Sequence, residues 1–159
     1  MTAKFTVLGN TTLATASASV TFSSIPSGYK DLVVVVTSLA DVGTTNFTMR
    51  FNGATTGYSS VVAYGDGSSA ASYVGSSSID LMAFGGATTA PALVTATVLD
   101  FSATNKHKSV LSRGNRSNQE ASMSAGRWAD TAAVTSLTIR TTTANNYAIG
   151  STFRLLGVN

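Results

Sequence analysis

Asn46-Phe47-Thr48-Met49-Arg50-Phe51-Asn52-Gly53 decides the fold class. Phe47, Met49 and Phe51 alternate with Thr48 and Arg50. That period of two belongs to a strand with one buried face. Asn52-Gly53 then supplies a strong turn signal, because both residue types tolerate positive φ. Upstream, Asp31 to Leu39 holds four successive valines and reads as a strand buried on both faces, or nearly so. Ile25-Pro26-Ser27-Gly28 is a turn, Leu13 to Phe22 alternates small residues, and Lys4 to Leu8 is short and β-like before Gly9-Asn10.

Downstream, Thr55 to Ser78 is the least regular stretch, rich in Gly, Ser and Ala. It reads as a large loop with one short strand near Val61 to Tyr64. Ile79 to Phe84, Ala92 to Phe101, Lys108 to Arg113, Glu120 to Trp128, Ala133 to Thr141 and Thr152 to Val158 complete the strand-like runs. About nine or ten short strands result, at sandwich spacing. Many antiparallel strands need two packed sheets to bury their apolar faces. The excursions at 55–78 and 102–107 suit jelly-roll or Greek-key connections better than a meander. The expected fold is an all-β antiparallel β-sandwich of jelly-roll type, one domain over residues 1–159, with 1–12 as a possible N-terminal arm.

Composition agrees. Ser and Thr number 46 of the 159 residues, while Glu120 and Gln119 are the sole Glu and Gln. Helix surfaces draw on Glu, Gln, Lys and Leu, so the chain lacks material for exposed helices. Thr and Val have stiff branched side chains that suit a pleated sheet. With no Cys, there is neither a disulfide framework nor a thiolate nucleophile. Met1 to Asn10 lacks the apolar core of a signal peptide, and Leu32 to Val36 is too short to span a bilayer. A soluble protein made in a cytoplasm is expected, with no membrane partner. Net charge is +3 and charged residues make up 11 %. That is too mild to call for nucleic acid. Such a sparsely charged surface suits packing against copies of itself or a larger assembly.

Groups for chemistry are few. His107 is the one His and sits in the polar turn Asn105-Lys106-His107-Lys108, where flanking lysines disfavour a metal. Asp31, Asp41, Asp66, Asp80, Asp100, Glu120 and Asp130 are scattered, and no spacing pairs two of them for acid–base work. Asp66-Gly67-Ser68 offers one carboxylate, which fits a turn better than a calcium loop. No Gly-x-Ser-x-Gly elbow occurs, and the Gly-rich stretches lack a Gly-Lys-Ser/Thr ending. The expectation is a non-enzymatic protein with no catalytic residues, metal or cofactor.

Two constellations remain as candidate sites. Lys106, Lys108, Arg113, Arg116 and Arg127 place five of the ten cations in one segment. They are either a basic patch for an acidic partner surface or a polar strand edge whose cations deter unwanted pairing. Tyr58, Tyr64, Tyr73 and Trp128 could contact a subunit or stack on a glycan, or could fill a sandwich core. The Asn-x-Ser/Thr matches at Asn10, Asn46 and Asn115 carry no weight without a secretory signal.

Three motifs share one likeness. Met49-Arg50-Phe51-Asn52-Gly53 with Tyr58-Ser59 is the first, and Arg127-Trp128-Ala129-Asp130-Thr131 leading into Val134 to Ile139 is the second. Gly150-Ser151-Thr152-Phe153-Arg154-Leu155-Leu156-Gly157-Val158 is the third. Together they make residues 20 to 158 resemble small structural proteins of tailed bacteriophages. Leu156 stands where that family usually carries an aromatic. The resemblance implies a jelly-roll in a virion: a capsid decoration (cement) protein, often a homotrimer bound to the major capsid protein. A tail or fibre module that binds tail proteins or a host glycan is the alternative. The stand-alone length, the absence of a fibrous repeat and the basic 106–127 segment favour the capsid exterior.

Overall fold

Burial alternates along the strands as the period-two pattern requires. The computed structural model describes residues 4–159. Twelve strands follow one another: β1 Phe5–Thr12, β2 Ser19–Phe22, β3 Asp31–Ser38, β4 Thr48–Phe51, β5 Tyr58–Gly65, β6 Ala70–Gly75, β7 Ile79–Asp80, β8 Ala92–Leu99, β9 Lys108–Arg116, β10 Glu120–Trp128, β11 Leu137–Arg140 and β12 Thr152–Val158. No helix occurs among the described residues.

The strands form an eight-stranded sheet, β1-β12-β3-β8-β9-β10-β5-β6, and a four-stranded sheet, β2-β11-β4-β7. The antiparallel pairs β2–β11, β3–β8, β4–β7 and β5–β6 are nested in sequence. This is the jelly-roll: a long hairpin of strand pairs rolled so that successive pairs fall in alternate sheets. Strands β9 and β10 are inserted between β8 and β5 and widen the larger sheet from within, and β12 with β1 extends it beyond β3.

Three expectations need correction. Twelve strands form, where nine or ten were expected. The supposed loop at 55–78 is mainly the β5–β6 hairpin, because Ser, Ala and Gly pair their backbones without a strong side-chain pattern. From Phe5 onward the supposed N-terminal arm is an edge strand paired with β12, and residues 1–3 of that arm lie outside the described part.

One core lies between the sheets. β3 sends Leu32, Val34 and Val36 inward, β8 sends Val94, Ala96 and Val98, and the smaller sheet answers with Met49, Phe51, Leu137 and Ile139. Each large aliphatic side chain buried there contributes roughly 1.5–3 kcal/mol. Tyr147 is fully buried, stacks on Phe47 at 5.5 Å and donates its hydroxyl proton to the Asn46 carbonyl at 2.8 Å. Burial raises its pKa.

The stretch that set the fold class is fastened at both ends. Asn52 and Gly53 adopt φ of 51° and 71°, and Ala54 N–H donates to Phe51 O at 2.9 Å. The Asn52 carboxamide accepts from Thr135 N and Ser136 N and donates to Ala133 O. Asn46 accepts from Thr142 N at 2.7 Å. The two asparagines thus clip β4 to the segments on either side of β11. Tyr58 Oη accepts from Phe51 N at 2.9 Å, which explains why a Tyr follows the turn at that spacing.

Candidate partner-binding surface

The inner face of the eight-stranded sheet is covered by its smaller partner, and the outer face is not. Antiparallel register puts directly opposed residues on one face. On the outer face this aligns Val74, Val61, Ala125, Leu111, Thr97, Val33, Leu156 and Val7 across all eight strands. Val74 is 79 % exposed, Val7 60 % and Leu111 53 %. A neighbouring row holds Ala63, Met123, Arg113, Thr95, Val35 and Arg154. Between these rows a shallow groove of about 490 Å³ is lined by Val61, Ala63, Thr95, Leu111, Met123 and Ala125. Large contiguous apolar patches on soluble proteins mark interaction sites.

The charge on this face is mostly positive. Arg113, Arg127 and Arg154 are exposed, with Arg113 and Arg154 on one side of the apolar row and Arg127 on the other. None of the three makes an ion pair among the described residues, where the one ion pair is Lys106 with Asp100 at 2.8 Å. Asp31 is the one acid of the large sheet outside its inner face, and its carboxylate accepts from Asp100 N–H at 2.8 Å.

The basic segment therefore splits. Arg113 and Arg127 face outward as a partner contact needs. Lys106 is exposed but tied to Asp100, whose carboxyl it holds below the usual range through that hydrogen bond and its charge. Lys108 is corrected outright: it is 0 % exposed, and its ammonium donates to the carbonyls of Ala103, Lys106 and Thr131. It clamps the 100–107 turn to the segment after β10, and burial lowers its pKa. Arg116 is also corrected. Its position on β9 points inward, where its guanidinium carbon sits 5.4 Å from the centre of the Phe84 ring.

The aromatic constellation splits as well. Tyr58 and Trp128 are core residues: their rings stack at 6.2 Å, and Trp128 meets Phe51 at 5.6 Å. Burial raises the Tyr58 phenol. They cannot contact a glycan or a subunit. Tyr64 and Tyr73 do come together, at 6.4 Å, with Phe84 edge-on to Tyr64 at 5.5 Å. This cluster sits at the open end of the sandwich, beyond the two-residue β7. Beneath it Glu120 accepts from Phe84 N–H at 3.0 Å, while Glu120 Oε2, Arg116 Nε and Ser122 Oγ are buried with no hydrogen-bond partner. Burial raises the Glu120 carboxyl and also that of Asp80. The Tyr73 phenol is pushed up to about 12, first by burial and then by Asp80 and Glu120.

Sequence reasoning missed Phe84, Arg154 and the whole outer apolar row. The row had a signal. Four valines in succession require apolar residues on both faces of β3, and covering both faces takes more protein than one four-stranded sheet. Among the described residues no group of three His, Cys, Asp or Glu could hold a metal ion. No family model matches this chain, and no curated protein matches it in sequence.

Proposed function

We propose that this chain is a non-enzymatic virion structural protein, a capsid decoration (cement) protein that seats the outer face of its eight-stranded sheet on the exterior of a phage head. The observation that carries this reading is the uncovered apolar row, flanked by Arg113, Arg127 and Arg154. An apolar centre supplies binding energy when water is excluded. Unpaired arginines around it steer the face toward a surface bearing carboxylates and fix its orientation. The resemblance of residues 49–59 and 127–158 to phage structural proteins points to the same class. Cryo-electron microscopy of particles carrying the protein tests it: copies should sit on the shell with Leu111 and Met123 against the major capsid protein. Particles whose shell bears no copy contradict it.

A second reading rests on the aromatic cluster. Tyr64, Tyr73 and Phe84 present partly exposed rings above a carboxylate and a guanidinium with unused hydrogen-bonding atoms. Aromatic faces and charged hydrogen-bonding groups are what a sugar's C–H face and hydroxyls require. A tail or fibre module would use this end to hold a host glycan. Binding on a glycan array that Tyr64→Ala removes supports it, and an array without binding excludes it.

A further inference from the structure

A sheet edge is a liability that proteins blunt with shortness, bulges, charge or cover. Three of the four edges in this fold are blunted. β1 carries a register break between Val7 and Gly9, β2 has four residues and β7 has two. β6 differs. It has six residues, Ala70-Ala71-Ser72-Tyr73-Val74-Gly75, with no charge, no Pro and an unbroken register to β5. Its first five residues are all exposed, so both faces as well as the free edge meet water. A strand held by one neighbour alone, with Val74 the most exposed large apolar residue among the described residues, is built to be covered.

We propose that β6 pairs antiparallel with β6 of a second copy of this chain, joining the two eight-stranded sheets about a two-fold axis. The strand's own sequence selects that occupant. Paired residues must share a face, so a symmetric alignment is centred on a residue. Centring on Ser72 puts Val74 opposite Ala70 of the second copy and Tyr73 opposite Ala71, twice each by symmetry. Every large side chain then meets a small one, and no like charges meet. The outer faces of the two sheets would lie on the same side of the joined sheet, with Val74 of each copy against Ala70 of the other.

Such a contact is isologous and closes as a dimer, whereas the homotrimer that the resemblance implies needs a heterologous one. Sedimentation velocity and light scattering across a concentration series separate them. The expected wild-type species is a dimer of twice the 16.2 kDa chain. Val74→Lys and, independently, Ser72→Lys should halve the mass while near-ultraviolet circular dichroism stays native, because neither side chain is in the core. Val7→Lys, on the opposite edge of the same face, should leave the dimer intact. A wild-type monomer at every concentration overturns the proposal, as does a trimer or a dimer that persists in both folded variants. None of these outcomes depends on capsid binding, so the assembly role and the dimer stand or fall separately.

Discussion

The two faces of the eight-stranded sheet are built from the same residue types and do opposite things. Inward, Leu32, Val34 and Val36 of β3 are fully buried; outward, Val33 and Val35 of the same strand are half-covered by sheet neighbours alone. The inner face draws its stabilisation from the four-stranded sheet. Residues of the outer face gain little on folding, since their surface stays in water. An apolar side chain that does not serve the fold on its own has a use once a partner covers it. The same contrast divides the cations: Lys108 points inward and holds three carbonyls, while Arg113 on the same strand points outward and holds nothing.

The largest break comes from emptying the inner face. Phe153 is fully buried and packs edge-on against Tyr147 at 5.2 Å. Phe153→Ala should cost about 3–5 kcal/mol, read from urea denaturation, because the cavity cannot collapse between two sheets. Lys108→Ala comes next, at about 1.5–3 kcal/mol, since it removes the charged donor from three carbonyls. Arg113→Ala is its control and should leave the urea midpoint in place while weakening particle binding.

A smaller effect separates the acids. Glu120 and Asp80 are held above their ordinary values of 4.5 and 3.8 by burial. The folded chain then binds these protons more tightly than the unfolded chain, so stability falls as pH rises above those ordinary values. Asp41 and Asp100 are held low, Asp41 chiefly by its bonds from Asn146 and Asp100 by Lys106; their contribution is lost as pH falls below 3.8. Stability should therefore peak in mildly acid solution. Glu120→Gln keeps an acceptor for Phe84 N–H and should flatten the decline above pH 4.5 without altering the acid limb, as thermal melts across pH would record. The smallest effect on the fold belongs to the outer face. Leu111→Ser should change stability by less than about 0.5 kcal/mol, the usual range for surface substitutions, and should lower affinity for particles.

Much of the architecture was legible because alternation is a local signal. Glu120 to Trp128 and Thr152 to Val158 match the observed strands to the residue, since each has clear inward and outward sets. The β5–β6 hairpin was not legible. Its inward positions include Ser60 and Ala71, and small or polar residues there erase the period. Ile79 to Phe84 carried a strand signal, yet pairing stops at Asp80 because β7 meets β4 over two residues. Site residues were harder to read, for a physical reason. One position on a strand separates an inward side chain from an outward one, so Arg113 and Arg116 look alike in sequence and face opposite ways. Trp128 and Tyr58 carry the polar tips of surface aromatics, but the Tyr58 hydroxyl is spent on the turn at Asn52-Gly53.

Methionine oxidation reads the central claim directly. Met123 lies on the outer face at 64 % exposure, while Met49 and Met82 are buried. Peroxide treatment followed by mass spectrometry compares the free protein with the protein assembled on phage particles. If the outer face of the large sheet is the docking surface, Met123 oxidises readily when free and is protected on the particle, with Met49 and Met82 slow in both. Equal oxidation of Met123 in the two states would contradict the account.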